Sequence, residues 1–210
     1  MVEPIDSLDG RLPGAGERGD GSLAELLERH RAKLRTMVAI RMDRRLQGRL
    51  DASDVLQEAY LEASERYKEY VRNPSMPAYL WLRFLVGQRL RIAHRQHLGV
   101  KARDAGREVT LYHGALPEAN SESLAAQLLG RHTSPSMAAT RAELQVRLQE
   151  ALNGMDSMDR EVLALRHFEQ LTNAETAQVL GIQPRAASAR YIRAIRRLKE
   201  ILNSMPGFFD

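Results

Sequence analysis

The sequence predicts an all-α protein: two small helical domains joined by a flexible linker, the second containing a helix-turn-helix. Three observations carry this. Apolar residues recur at three- and four-residue spacing in segment after segment, and no strand-like alternation of any length interrupts them. Ser, Thr or Asp stands where such segments begin, in two cases with Glu three residues on. Residues 106–135 break the pattern with Gly, Pro, Ser and Asn.

Taken in order, residues 1–21 hold five Gly and two Pro without periodicity and read as a flexible leader. Ser22 to Glu25 is a capping box, and Leu23, Leu26, Leu27, Leu34, Met37 and Val38 follow at helical spacing. A second helix starts at Asp51-Ala-Ser-Asp54, where Asp51 or Ser53 can cap, and ends at Asn73-Pro74. Its apolar stripe is Val55, Leu56, Ala59, Tyr60, Ala63, Tyr67 and Tyr70. A third begins near Pro77 and runs through "AYLWLRFLVGQRLRIAHRQH", apolar almost all round at first and basic later. The linker, 106–135, allows one short helix near Leu124 to Leu129. Ser134-Pro135 reads as the start of a fourth helix, with Leu144, Leu148, Ala151 and Leu152 on one face. Residues 157–168 make a fifth. The capping box Thr172 to Glu175 opens a sixth, which Gly181 stops, and Gln183-Pro184 opens the last.

Composition narrows the function classes. Charged residues make up 28% and hydrophobic ones 43% of 210, the balance of a helix-rich soluble protein. No run approaches the roughly 18 apolar residues of a membrane span, and the leader lacks the apolar core of a secretion signal. There is no cysteine, so disulfides and thiolate metal sites are excluded and a reducing cytoplasm is expected. Six histidines share no ligand spacing with carboxylates. His94 and His97 are three apart but lie among arginines, which repel cations, so no metal or other cofactor is expected. Neither a Gly-rich phosphate loop nor a nucleophile motif is present, so the chain reads as a non-enzyme.

The charge is uneven, and that points further. The net value is only +4, with a pI of about 9.6. From Arg185 to Lys199 there are six cations (Arg185, Arg190, Arg193, Arg196, Arg197, Lys199) and no acid; from Thr172 to Gln183 the one charge is Glu175. Solvated helices usually mix signs, so an anionic partner is expected here. A short helix, a Gly turn and a second helix form a helix-turn-helix. Small Ala177 suits the crossing, and Ile182, Ala187 and Ile192 are expected to face the core. Arg185, Ser188, Arg190 and Arg193 then lie on the other face, placed for the major groove of DNA.

Asp51 to Tyr70 carries a local net of −4, with Asp54, Glu58, Glu62, Glu65 and Glu69 recurring every three or four residues; this stripe suits a basic protein partner. Arg83 to Arg107 carries a net of +6 after Tyr79, Trp81 and Phe84. A basic run beside aromatics fits single-stranded nucleic acid, although Trp81 and Phe84 at helical spacing read first as core.

Together these segments resemble the extracytoplasmic-function (ECF) sigma factors of the sigma-70 family, over roughly residues 22–204. "DASDVLQEAYLEA" is similar to that family's polymerase-binding helix, with Asp54, Gln57 and Glu58 at its Asp-x-x-Gln-Glu positions. "YLWLRFLVGQRLRIAHRQH" is similar to the helix that opens and reads the −10 element, with Trp81-Leu82 at its Trp-Leu. "MDSMDREVLALRHFEQLTNAETAQVLGI…ASARYIRAIRRLKEIL" is similar to the domain that reads the −35 element. Ser188-Ala189-Arg190 stands where members commonly carry Lys-Ser-Arg, and Gly87 and Gln88 stand near the usual Asn and Asp of the −10 helix.

The resemblance implies a leader at 1–21, sigma domain 2 at 22–105, a linker at 106–135, sigma domain 4 at 136–204 and a tail at 205–210. It implies polymerase binding by Asp54, Gln57 and Glu58, −10 contacts by Arg83, Arg89, Arg91 and Arg95, and −35 contacts by Arg185, Ser188, Arg190, Arg193, Arg196 and Arg197. The implied partners are core RNA polymerase, through its β′ coiled coil and β flap, promoter DNA and an anti-sigma factor. The free chain is expected to be monomeric and cytoplasmic. The alternative is a helix-turn-helix transcriptional regulator whose N-terminal helices dimerise or sense a signal; it would read a palindrome, where a sigma factor reads asymmetric elements.

Overall fold

The structure, a computed structural model, describes residues 22–46, 48–98, 116–130 and 138–203. The expected leader, the cap at Ser134-Pro135 and much of the linker lie outside these residues. Among the described residues the fold is all helical: eight α-helices, with a short 3-10 turn at Arg44–Leu46 and no strand. None of the helices is long and apolar enough to cross a membrane.

Helix α1, Leu23–Arg41, starts at the expected capping box, Ser22 and Glu25 each accepting from the other's backbone N–H. Helix α2, Ala52–Arg72, is capped by Asp51, whose carboxylate accepts from Ser53 N at 2.7 Å, while Asp54 accepts from Asp51 N at 2.8 Å. Helix α3, Ala78–Leu98, packs Trp81 flat on Tyr70 of α2, with ring centroids 4.5 Å apart. Tyr70 Oη also donates to Met76 O at 2.8 Å, which closes the α2–α3 connection over the rings. Trp81 is buried, as the helical spacing implied.

The linker contributes a full helix, α4, Ser121–Gly130. Asn120 begins it: its side chain accepts from Glu122 N at 2.8 Å. Leu124, Ala125 and Leu129 are then completely buried in a core shared with α5, Ala138–Asn153. Asn120 N also donates to Ile40 O at 2.8 Å, so this helix is tied to the end of α1.

The expected helix over 157–168 divides. Helix α6 spans Ser157–Leu163, and Ala164–Phe168 forms a π turn in which Glu169 N reaches Ala164 O at 3.0 Å. The turn closes through Gln170 in the left-handed region, φ 55°. It leaves Leu165 and Phe168 in the core and Glu169 fully buried. Such single π turns are uncommon and tend to mark functional positions.

Helices α7, Asn173–Leu180, and α8, Pro184–Asn203, complete the chain. Thr172 and Glu175 form the expected capping box. Gly181, at φ 59°, takes the left-handed position that ends α7, and Ile182 N returns to Ala177 O at 3.0 Å, the bond pattern of a Schellman end. Ile192 does not face the core; it is 56% exposed. Helical phase explains this: Ala187, Ala194, Leu198 and Ile201 make the buried stripe, and Ile192 lies off it by roughly two residues at about 100° each.

The apolar core does not divide at the linker. Val162, Leu165, Leu171, Val179 and Leu180 from the C-terminal half join the cluster built by α1, α2 and α3, and Ile40 of α1 joins the cluster of α4, α5, α6 and α8.

Candidate nucleic-acid interface

The helix-turn-helix is held by local bonds and a small crossing residue. Ala177 is buried where α7 meets α8, and Asn173 Nδ2 donates to Pro184 O at 2.9 Å, fixing the start of α8 against the start of α7. Pro184 occupies the first turn, where its missing N–H costs no bond. Arg185 and Ser188 project from that first part of α8 and are exposed, as are Arg196 and Arg197 further along. Arg197 pairs with Glu200 of its own helix, at 3.4 Å between two exposed side chains.

Arg190 and Arg193 are placed differently. Both turn toward Asp159 of α6. Arg193 gives it two hydrogen bonds, 2.5 and 2.8 Å, and Arg190 gives one at 3.0 Å. The hydrogen bond from Arg193 holds the Asp159 carboxyl below its usual range, partly opposed by burial and aided by Arg190. The carboxylate itself is nearly buried, with 8% of its side chain exposed, while Arg193 keeps 59%. These two arginines thus brace α8 against α6 and still present part of each guanidinium to solvent.

In α2, Asp54, Gln57 and Glu58 are exposed side by side on one polar face. The expected acidic stripe is interrupted at its middle, because Glu62 is buried while Glu58, Glu65 and Glu69 are exposed. Glu62 accepts from Arg89 Nε at 2.7 Å and lies 2.9 Å from Arg66. Burial there follows from position: Glu62 faces α3, not solvent, and the guanidiniums of Arg66 and Arg89 pair with it.

Of the four cations expected to face −10 DNA, the structure sets two apart. Arg83 is buried, its side chain 6% exposed, and donates Nε to Glu169 Oε2 at 2.7 Å. Arg89 is occupied by Glu62. Arg91 is half-buried and Arg95 exposed, near the C-terminal end of α3. Gly87, at the middle of α3, has a clear reason to lack a side chain: an added Cβ would lie 2.5 Å from Leu116 Cδ2. His94 is half-buried and accepts from Asp43 N at 3.3 Å; burial lowers its pKa, which keeps it neutral.

Sequence reasoning did not find Arg41, Glu161 and Glu169. Arg41 is fully buried at the end of α1 and pairs with Glu161 and Glu169. Burial acts to lower its pKa, but the two carboxylates outweigh this and raise it. Burial likewise acts to raise Glu169, but Arg41 and Arg83 hold it below the usual carboxylate range. No periodicity marks such residues, because their partners are more than a hundred residues away or in another helix. No group of three or more His, Asp or Glu suited to a metal ion occurs among the described residues.

No curated protein matches this sequence. Residues 145–198, from the middle of α5 to near the end of α8, match the family described as Sigma-70, region 4, and that match supports a sigma-factor or helix-turn-helix DNA-binding role for this part of the chain.

Proposed function

We propose that the protein is a sigma factor of the ECF type, which binds core RNA polymerase and directs it to specific promoters for transcription initiation. The observation that carries the reading is a conjunction: the segment similar to Sigma-70, region 4 holds a capped, Gly-turned helix pair whose second helix begins with exposed Arg185 and Ser188. A helix entering the major groove reads bases with its N-terminal residues. Arg185 is thus the base-reading candidate for the −35 element. Arg196 and Arg197 lie roughly 15 Å or more along the axis at about 1.5 Å per residue, so they act on phosphates. Arg190 and Arg193 contribute what Asp159 leaves free.

In the same reading, the exposed Asp54, Gln57 and Glu58 meet a basic surface of polymerase, the β′ coiled coil, and domain 4 meets the β flap. Arg91 and Arg95, with Arg89 and Arg83 when released, track the −10 strand by neutralising phosphates, so binding falls steeply with salt. The chain itself carries no catalysis; nucleotide chemistry belongs to polymerase. It works as a monomer in the cytoplasm, with an anti-sigma factor as a further partner.

The test is transcription from a promoter library by core polymerase with the added protein. Wild type should yield transcripts from asymmetric −35/−10 sites. Asp54→Arg with Glu58→Arg should lose core binding with helix content intact. Arg185→Ala should lose about 1–3 kcal/mol of preference at one −35 base pair, and Arg196→Ala should weaken all sequences alike. No transcription with core, together with dimeric binding to a palindrome, would establish the regulator reading in its place.

A further inference from the structure

One ionic cluster enters the function proposed above only through its Arg83. Glu169, 0% exposed, lies between two guanidiniums supplied by the other half of the chain. Arg83 of α3 gives it hydrogen bonds of 2.7 and 3.4 Å, and Arg41 at the end of α1 approaches it at 2.5 Å. Arg41 also pairs with Glu161 of α6, which in turn accepts from Ala119 N at 3.0 Å. Tyr79 Oη closes the remaining side, 3.5 Å from Glu169 Oε2. Two guanidiniums and two carboxylates balance, so the cluster is neutral as a whole.

Its position matters more than its size. The cluster sits in the seam between α1–α3 and the α6–α7 segment, beside the apolar contacts of Val162, Leu165, Leu171, Val179 and Leu180. An apolar seam alone would be lost to water on opening with nothing in return. Ions removed from water are different: their burial is tolerated only through mutual pairing. Separation returns all four charges to solvent, which offsets part of the apolar loss. A seam of this composition holds firmly when intact and fails when one partner is removed.

We infer that the Arg41–Glu169–Arg83 cluster is an intramolecular clasp that keeps the two halves of the free protein closed and withholds Arg83 from nucleic acid until the seam opens. The inference rests on the proposed function only in taking DNA as what Arg83 meets once released; the closure itself rests on the contacts.

The experiment uses the full chain without polymerase. Since the sequence has no cysteine, Leu61→Cys and Val146→Cys, at positions 69% and 55% exposed, accept one dye each for single-molecule energy transfer. The parent should show one closed population. Glu169→Gln keeps the shape but strands two buried guanidiniums, and should shift the closed-to-open ratio about 100-fold or more toward open. Arg83→Met, which leaves Glu169 its bond to Arg41, should shift it less, by about 10-fold. Circular dichroism checks that the helices persist in both. An open or broad distribution in the parent overturns the clasp, and so does an unchanged closed population in both variants. Binding of a random-sequence single-stranded oligonucleotide is read in parallel. Opening without a gain in affinity upholds the closure but overturns the withholding of Arg83 from DNA, so the two parts fail separately.

Discussion

Asp159 shows how one carboxylate can hold the second helix of a helix-turn-helix and, in the function proposed above, compete with DNA for its arginines. It is nearly buried and takes three hydrogen bonds from Arg190 and Arg193. Asp159→Asn removes the charge and one acceptor. Because Arg193 is well solvated, the expected cost is modest, about 1 kcal/mol in denaturant unfolding. Freed arginines should then bind DNA a few-fold more tightly at low salt. A loss of DNA binding instead would mean that Asp159 orients these side chains for the groove. Arg185 and Ser188 were legible in the sequence because capping, Gly181 and Pro184 fix where α8 begins. The bracing of Arg190 and Arg193 was not, since a basic stripe looks the same whether its partner is a phosphate or a carboxylate from another helix.

At the scale of elements, the helix starts were the most legible feature, because a capping residue acts within three residues of itself. Ser22 and Thr172 cap as their spacing indicates, and of the two caps open to α2 the structure uses Asp51. Packing depends on distant residues and was less legible: Ile192 is exposed and Glu62 is buried, and the short helix expected near Leu124 to Leu129, present as α4, joins a core that the linker was not expected to share. Gly87 gives this a measurable form. Its bare Cα admits Leu116, whose Cγ would be 2.8 Å from an added Cβ. Gly87→Ala should gain up to about 1 kcal/mol of helix propensity but lose more by displacing Leu116, for a small net destabilisation. In the Leu116→Ala background the clash is gone, and Gly87→Ala should stabilise by about 1 kcal/mol. A double-mutant cycle on thermal melts checks this, and additivity would remove the proposed contact.

For the whole molecule, the all-helical class was readable from period alone, while the joining of the halves was not. Charged residues carry much of that joining, and charge has no period that separates a buried cation from a solvated one. The consequence is a specific acid response. Glu169 has an ordinary value of 4.5 and is held lower by Arg41 and Arg83 despite burial; Asp159, ordinarily 3.8, is likewise held lower by Arg193. Depressed carboxylates contribute stability that is fully present above their ordinary values and is lost as pH falls through the folded ones. The melting temperature should therefore drop steeply below about pH 4.5. A smaller decline should begin near 6.5, the ordinary value of His94, whose burial favours the neutral ring. Glu169→Gln should melt lower at neutral pH and show a shallower acid fall; an unchanged acid profile would place the acid sensitivity elsewhere.

The π turn at Ala164–Phe168 makes the chain length between α6 and α7 a fixed quantity. In a regular helix each residue added or removed turns everything downstream by about 100°. The five-residue span from Ala164 O to Glu169 N sets the bearing of Glu169 toward Arg83 and Arg41. A lineage of this protein could therefore exchange side chains along Ala164–Phe168 far more freely than it could gain or lose a codon there. Such a change would leave the composition nearly intact while pointing the carboxylate away from both arginines.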